Sequence, residues 1–396
     1  MQSKMGEKNK IPQIRFNGFD ESWEVKKLGE IGFTYSGLFG KSKIDFGHGE
    51  GKYITYMNIF SNPITNVDIT APIEIDINQN EVEFGDVFFT TSSETPEEVG
   101  MTSVWLGSGK NKYLNSFCFG YRLTEELDSY FIAYLLRSFN TRKKITYLAQ
   151  GISRYNISKN KVMQICISRP KISEQYHIGS YFQNLDKLIT LQQQKHDKLV
   201  TLKKAMLDKM FPKEGADVPE IRFKGFEGVW EEKKLGDVTH ITTGKLDANA
   251  MKKDGKYDFY TSGIQKYKID VYAFAGPAIT IAGNGATVGY MHFANGLFNA
   301  YQRTYVLFDF TENREFLYFE ISKVLPLKIK EEARSGNIPY IVLEMLTDLK
   351  IKTPSLKEQS QIGSFFHNLD KLISLQQQEI QKLKNIKKAC LEKMFV

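Results

Sequence analysis

Cysteine, histidine and long apolar runs are scarce in this 396-residue chain, and each scarcity removes a class of function. The three cysteines, Cys118, Cys166 and Cys390, lie far apart. They are too few for a disulfide framework or a thiolate metal site, and are expected to be small buried apolar residues. The six histidines are scattered, with no HExxH or His/Cys cluster, so no metal is expected. No uninterrupted apolar stretch is long enough to cross a bilayer, and the opening MQSKMGEKNKIPQ lacks an apolar core of the signal-peptide kind. Both features predict an intracellular, cytoplasmic protein. Neither a nucleophile triad nor a carboxylate cluster suited to nuclease metals is visible.

Charge of one sign is also missing over long stretches. No Lys or Arg occurs from Tyr53 to Gly109, where nine acids fall between Asp68 and Glu98. From Ser129 to Ser173 there is no acid, and nine basic residues are present, among them Arg137, Arg142, Lys143, Lys144, Arg154 and Lys159. Net charge is only +7, so this distribution says more than the total. A basic face interleaved with Tyr155 and Asn156 suits contact with phosphates and base edges.

What the chain does have is repetition. IRFNGFDESWEVKKLGE (Ile14 to Glu30) returns as IRFKGFEGVWEEKKLGD (Ile221 to Asp237), with 11 of 17 positions identical. A longer segment from Ile178, IGSYFQNLDKLITLQQQ, returns from Ile362 as IGSFFHNLDKLISLQQQ. Both copies follow a Pro and a Glu-Gln pair, Pro170 with Glu174-Gln175 and Pro354 with Glu358-Gln359. Each half is thus an opening motif, a divergent middle and a closing helix. PKEGADVPE, with prolines at both ends, reads as the linker between halves.

Apolar content of 41% predicts folded middles. VEFGDVFFTT and AITIAGNGATVGYMHF read as strands and turns, SYFIAYLLRSFNTRKKITYLAQG as helical and MQICIS as a buried strand. GNGATVG lacks the Lys-Ser/Thr of a phosphate-binding loop and is expected to be a hairpin turn. NIPY (Asn337 to Tyr340) is similar to the Asn-Pro-Pro-Tyr motif of amino-methyltransferases. Ile338 stands at its first proline, however, and no glycine-rich cofactor loop follows an early strand.

From Glu174 to Phe211 nothing interrupts a helix except Gly179, and Phe182, Leu185, Ile189, Gln192 and Leu199 form a near-heptad stripe. Phe366, Leu369, Ile373, Gln376 and Leu383 repeat it. Each stripe is the other's expected partner, as an antiparallel pair with a Gln in each seam, setting a fixed separation between two modules. In the second module Lys245, Lys252, Lys253, Gln302, Arg303, Arg334, Asn337 and Tyr340 join Lys41, Lys43 and the basic run of the first as candidate DNA-binding residues. Arg, Asn and Gln are the side chains that read guanine and adenine edges bidentately.

In these repeated motifs around divergent middles the chain resembles the specificity subunit of a type I DNA restriction-modification system over nearly its whole length. The resemblance implies an α+β protein with two tandem, pseudo-symmetric target recognition domains (residues 14–173 and 221–357). It also implies two long helices forming an antiparallel coiled coil (residues 174–212 and 358–396) and a linker at 213–220. It implies a non-catalytic reader of split, asymmetric double-stranded DNA. Two methyltransferase subunits would use S-adenosylmethionine to methylate adenine, and two restriction subunits would use ATP and Mg; none of these cofactors is expected in this chain. A coiled-coil scaffold without DNA binding and a free-standing adenine methyltransferase are the competing readings. The first predicts no salt-sensitive DNA affinity and the second predicts binding of S-adenosylmethionine.

Overall fold

The computed structural model describes residues 11–332 and 340–396. The chain divides into two compact units, residues 1–193 with 379–396, and residues 194–378. The boundary falls within the Gln-rich stretches of both closing helices rather than where each helix begins. Each unit therefore takes its recognition module, the first half of that module's own closing helix and the last turns of the other closing helix.

Unit one is built on a four-stranded antiparallel sheet in the order Gly32–Ser36, Cys118–Leu123, Val87–Thr90, Thr102–Val104. A three-stranded sheet of Thr70–Ile73, Phe46–Ile54 and Lys112–Leu114 adjoins it in sequence. Unit two repeats the first sheet in the same order with His240–Thr243, Thr304–Phe308, Ala278–Ala282 and Met291–Ala294. Its second sheet has four strands, with Tyr257–Tyr260 parallel to Leu297–Ala300. The central strand Ala278–Ala282 is buried at every position, which explains its sequence AITIA, apolar except for Thr280. The strands on either side of GNGATVG pair antiparallel, as expected of a hairpin.

The helical stretch after Asp128 is two helices, Ser129–Arg137 and Phe139–Thr146. Ser138 leaves the helical region at φ −65°, ψ 153°, and its Oγ donates to the Leu135 carbonyl. The expected strand near Cys166 is Cys166–Arg169, paired with Glu24–Lys27 of the opening motif; Lys350–Thr353 pairs with Glu231–Lys234 in the same way. Only Cys118 of the three cysteines is buried; Cys166 is exposed and Cys390 half-buried, which corrects the expectation for those two. Cys166 begins a two-stranded ribbon, where alternate side chains face solvent.

The closing helices span Ile172–Lys209 and Leu356–Lys393, 38 residues each. Inside unit one their segments run antiparallel: Phe182 stacks on Phe395 at 5.6 Å, Tyr181 Oη lies 3.5 Å from Cys390 Sγ, and Lys387 pairs with Asp186. Unit two repeats this with Phe366 against Phe211 at 5.8 Å and Lys203 paired with Asp370. The aspartate of NLDKL thus meets a lysine from the opposite helix in both units. Of the seam positions, Phe182, Leu185, Phe366, Leu369 and Gln376 are buried, and Ile189, Gln192, Leu199, Ile373 and Leu383 are half-buried.

The repeated opening motif is explained by the same junction. Arg15 forks onto Glu174 with Nε–Oε1 2.7 Å and Nη2–Oε2 2.8 Å, and Arg222 forks onto Glu358 at 2.7 Å twice. The neighbouring Gln175 donates to the Pro170 carbonyl and accepts from Asp128 N–H; Gln359 does the same with Pro354 and Asn313. Asp128 and Asn313 in turn cap their helices through Phe131 N–H and Phe316 N–H. The repeated residues are a docking device that seats each closing helix on its own sheet module.

Candidate nucleic-acid interface

In each unit the antiparallel order brings one set of strand ends to a single edge. In unit one the C-terminal ends of Gly32–Ser36 and Val87–Thr90 lie beside the N-terminal ends of Cys118–Leu123 and Thr102–Val104. The loops that leave this edge carry Lys41 and Lys43, and the 150–156 loop is pinned beside it, on a rigid base of paired strands.

Tyr155 and Asn156 form a two-residue strand against Ser92–Ser93, just past the end of Val87–Thr90. Asn156 also exchanges backbone hydrogen bonds with Gln150, so Gly151 to Arg154 form the tip of a narrow loop. Ile152 at that tip is 95% exposed. Arg154 stands over the Phe117 ring at 6.0 Å, and Lys159 donates to Ser36 Oγ at 3.2 Å. The Tyr155 ring packs against the core, leaving Asn156 as the exposed member of the pair. Below the loop is a cleft of about 490 Å³ lined by Tyr56, Met57, Phe117, Glu94, Glu98 and Arg154, among others.

Arg142 does not join this surface. Its guanidinium donates to the carbonyls of Gly100 at 2.6 Å, Val99 at 2.6 Å and Glu97 at 2.8 Å, and burial lowers its pKa to about 10. Arg137 is spent in the same way on the carbonyls of Thr102, Ile59, Phe60 and Asn62, with burial lowering its pKa to about 9. Lys144 donates to the Cys166 carbonyl, Arg169 pairs with Glu24 and Glu125, and Lys171 with Glu21. The acid-free run is therefore not one basic face; five of its cations hold the fold, and Lys143, Arg154, Lys159 and Lys161 remain toward solvent.

Part of the preceding lysine-free run is neutralised from elsewhere. Asp86, 1% exposed, takes a two-pronged contact from Arg122 and a 2.6 Å hydrogen bond from Tyr35. Lys41 is paired with Asp76 at 2.8 Å, and that ammonium, with hydrogen bonds from Asn78 and Gln79, holds the Asp76 carboxyl well below its usual range. Lys43 is exposed in the same loop.

In unit two the corresponding edge gathers Lys245, Gln302, Arg303 and Tyr340. Gln302 donates to Asp247 at 2.9 Å, and its N–H bonds the Leu246 carbonyl. The Arg303 carbonyl accepts from Gly283 N–H, leaving its side chain exposed, and Tyr340, 60% exposed, bridges to Asn284. Lys252 is paired with Asp270 at 2.7 Å beside Lys253, away from this loop cluster in sequence and sheet. Arg334 and Asn337 lie outside the described residues. Sequence reasoning missed Asn284, Glu94, Glu98 and Phe117. Their signal was position in the short connections flanking the strand ends, Glu94 directly after Ser92–Ser93 and Phe117 directly before Cys118–Leu123, which shows only once strand order is known.

No described helix is long and apolar enough to cross a membrane. The sequence pattern of the type I restriction modification DNA specificity domain matches residues 20–201 and again 227–385. The chain is 39% identical over 145 residues to the type I restriction enzyme EcoDI specificity subunit of Escherichia coli, covering 37% of this chain and 31% of that protein. The match thus spans about a third of that relative's length. Among solved structures, the S subunit of a type I restriction-modification system from M. genitalium superposes with a TM-score of 0.67 at 18% identity, over 98% of this chain and 99% of that one. A chain from a study of complex assembly and conformational transition of the type I R-M system gives 0.55 at 17% identity, over 94% and 97%. With the domain pattern covering most of the sequence in two copies, each on its own sheet, the chain belongs to the type I restriction modification DNA specificity family.

Proposed function

We propose that this chain is a cytoplasmic, non-catalytic DNA reader, in which residues 14–173 and 221–357 each recognise one half of a split, asymmetric double-stranded site. The observation that carries this reading is the double occurrence of a DNA specificity domain, with loops bearing Arg154, Asn156 and Lys159 in one copy and Lys245, Gln302 and Arg303 in the other. Side chains that donate to base edges and phosphates, set on loops at one sheet edge, are what sequence readout requires. In this reading the closing helices set the spacing between half-sites. Two methyltransferase subunits supply S-adenosylmethionine chemistry on adenine, and restriction subunits supply ATP- and Mg-dependent cleavage. Lys43 and Lys143, both exposed, contribute attraction to phosphate, whereas Lys41 is already paired with Asp76.

The test is DNA affinity as a function of salt. A chain neutralising about six phosphates gives a slope of log K against log salt near −5. A flat response removes the DNA-reading function and leaves a protein scaffold.

A further inference from the structure

The cleft beneath the 150–156 loop holds opposite charges that are not used on each other. Glu94 makes no hydrogen bond or ion pair among the described residues, and Glu98 accepts only from Ser93 Oγ, at 3.0 Å. Arg154 has no carboxylate partner among them and rests on the Phe117 ring. The walls between are apolar and open, with Met57 61% and Phe117 55% exposed. The cleft thus sets an acceptor-only carboxylate and a donor-only guanidinium, neither used on the other, around an apolar wall that a flat ring can cover.

The ligand chemistry follows from the donors and acceptors. A carboxylate can only accept, so beside phosphates it repels; on DNA it finds a partner in an exocyclic amine, cytosine N4 above all. A guanidinium can only donate, and its fork matches guanine O6 and N7. The segment carrying the acids is held from behind, because the half-buried Arg142 gathers the carbonyls of Glu97, Val99 and Gly100. Tyr56 donates to the Ser92 carbonyl at 2.7 Å and ties the other end.

We propose that this cleft reads one C·G base pair of the half-site bound by the first unit, Glu94 accepting from cytosine N4 and Arg154 donating to guanine O6 and N7. Arg142 acts as a positioning residue for the acidic segment. The proposal rests on the DNA-reading function given above and adds which side chains discriminate and which pair they select.

The experiment maps methylated sequences, and measures binding to matched duplexes, for the complete chain together with its methyltransferase subunits. The wild type is compared with Glu94→Gln and Arg154→Ala. Both side chains are exposed and unpaired, so both variants keep the melting temperature of the wild type. Glu94→Gln lowers preference for C·G at one position of one half-site by about 5- to 150-fold and moves it toward A·T, since Gln pairs with adenine N6 and N7. Arg154→Ala relaxes the same position, and the other half-site is unchanged in both. A methylated sequence unaltered by Glu94→Gln, or changes at different half-sites in the two variants, overturns the proposal. A wild-type chain with no sequence preference overturns the DNA-reading function itself, which is a separate outcome.

Discussion

At the scale of single residues, the two forked ion pairs matter most for stability. Glu358 is fully buried against Arg222, itself 14% exposed at its side chain, and Glu174 against Arg15 is nearly as enclosed. Removing one partner of a buried pair leaves a desolvated charge uncompensated, at a cost of about 3–5 kcal/mol. Glu358→Ala should therefore lower the urea midpoint of unit two sharply, while replacing the exposed partner in Lys350–Glu232 should change it little. Glu320 is a different case. It occupies in the helix Arg314–Glu332 the place that Leu135 holds in Ser129–Arg137, 185 positions earlier. Burial raises its pKa to about 7, against which the Lys352 N–H and the Lys323 and Lys352 charges act. The folded state thus holds a proton that the unfolded state has released above about 4.5. Stability contributed at this site falls as pH rises from about 4.5 to about 7 and then levels off. Glu320→Gln, which keeps an acceptor for Lys352 N–H, should abolish that slope in urea unfolding followed across pH.

At the scale of elements, Gly179 and Gly363 show why the repeated IGS could not drift to another small residue. In an ordinary helix interior Gly→Ala stabilises by about 1 kcal/mol. Here a methyl on Gly179 would lie 2.2 Å from Asp128 Oδ1 and 2.9 Å from Phe131 N, and one on Gly363 would lie 2.8 Å from both Asn313 Oδ1 and Phe316 N. These are the cap atoms of the adjoining helix, so the strain outweighs the propensity gain. Gly179→Ala should destabilise the protein, measured as a lowered denaturant midpoint with an unchanged m-value. The Gln-rich seam was readable from its period, and the Asp186–Lys387 and Asp370–Lys203 pairs give that period its register. The role of IRF and EQ was not readable, because Arg15 and Glu174 are 159 residues apart and only the fold brings them together.

At the scale of the whole molecule, each unit carries its own sheets and core, so replacing residues 31–170 with another such middle should change one half-site and leave the other intact. Mapping the methylated sequence of the hybrid checks this, and alteration of both halves would refute independent reading. Tandem duplication, α+β content and the long paired helices follow from the sequence alone, because repetition and heptad spacing are local patterns that need no knowledge of what lies across the core. The division of labour among the charges was decided only by tertiary structure. Arg142 and Arg154 stand twelve positions apart in one basic run, yet the first is drawn inside by three carbonyls and the second is left over an open cleft. Whether a cation holds the protein or faces a ligand depends on which backbone groups the folded chain leaves unpaired beside it, and no sequence spacing encodes that.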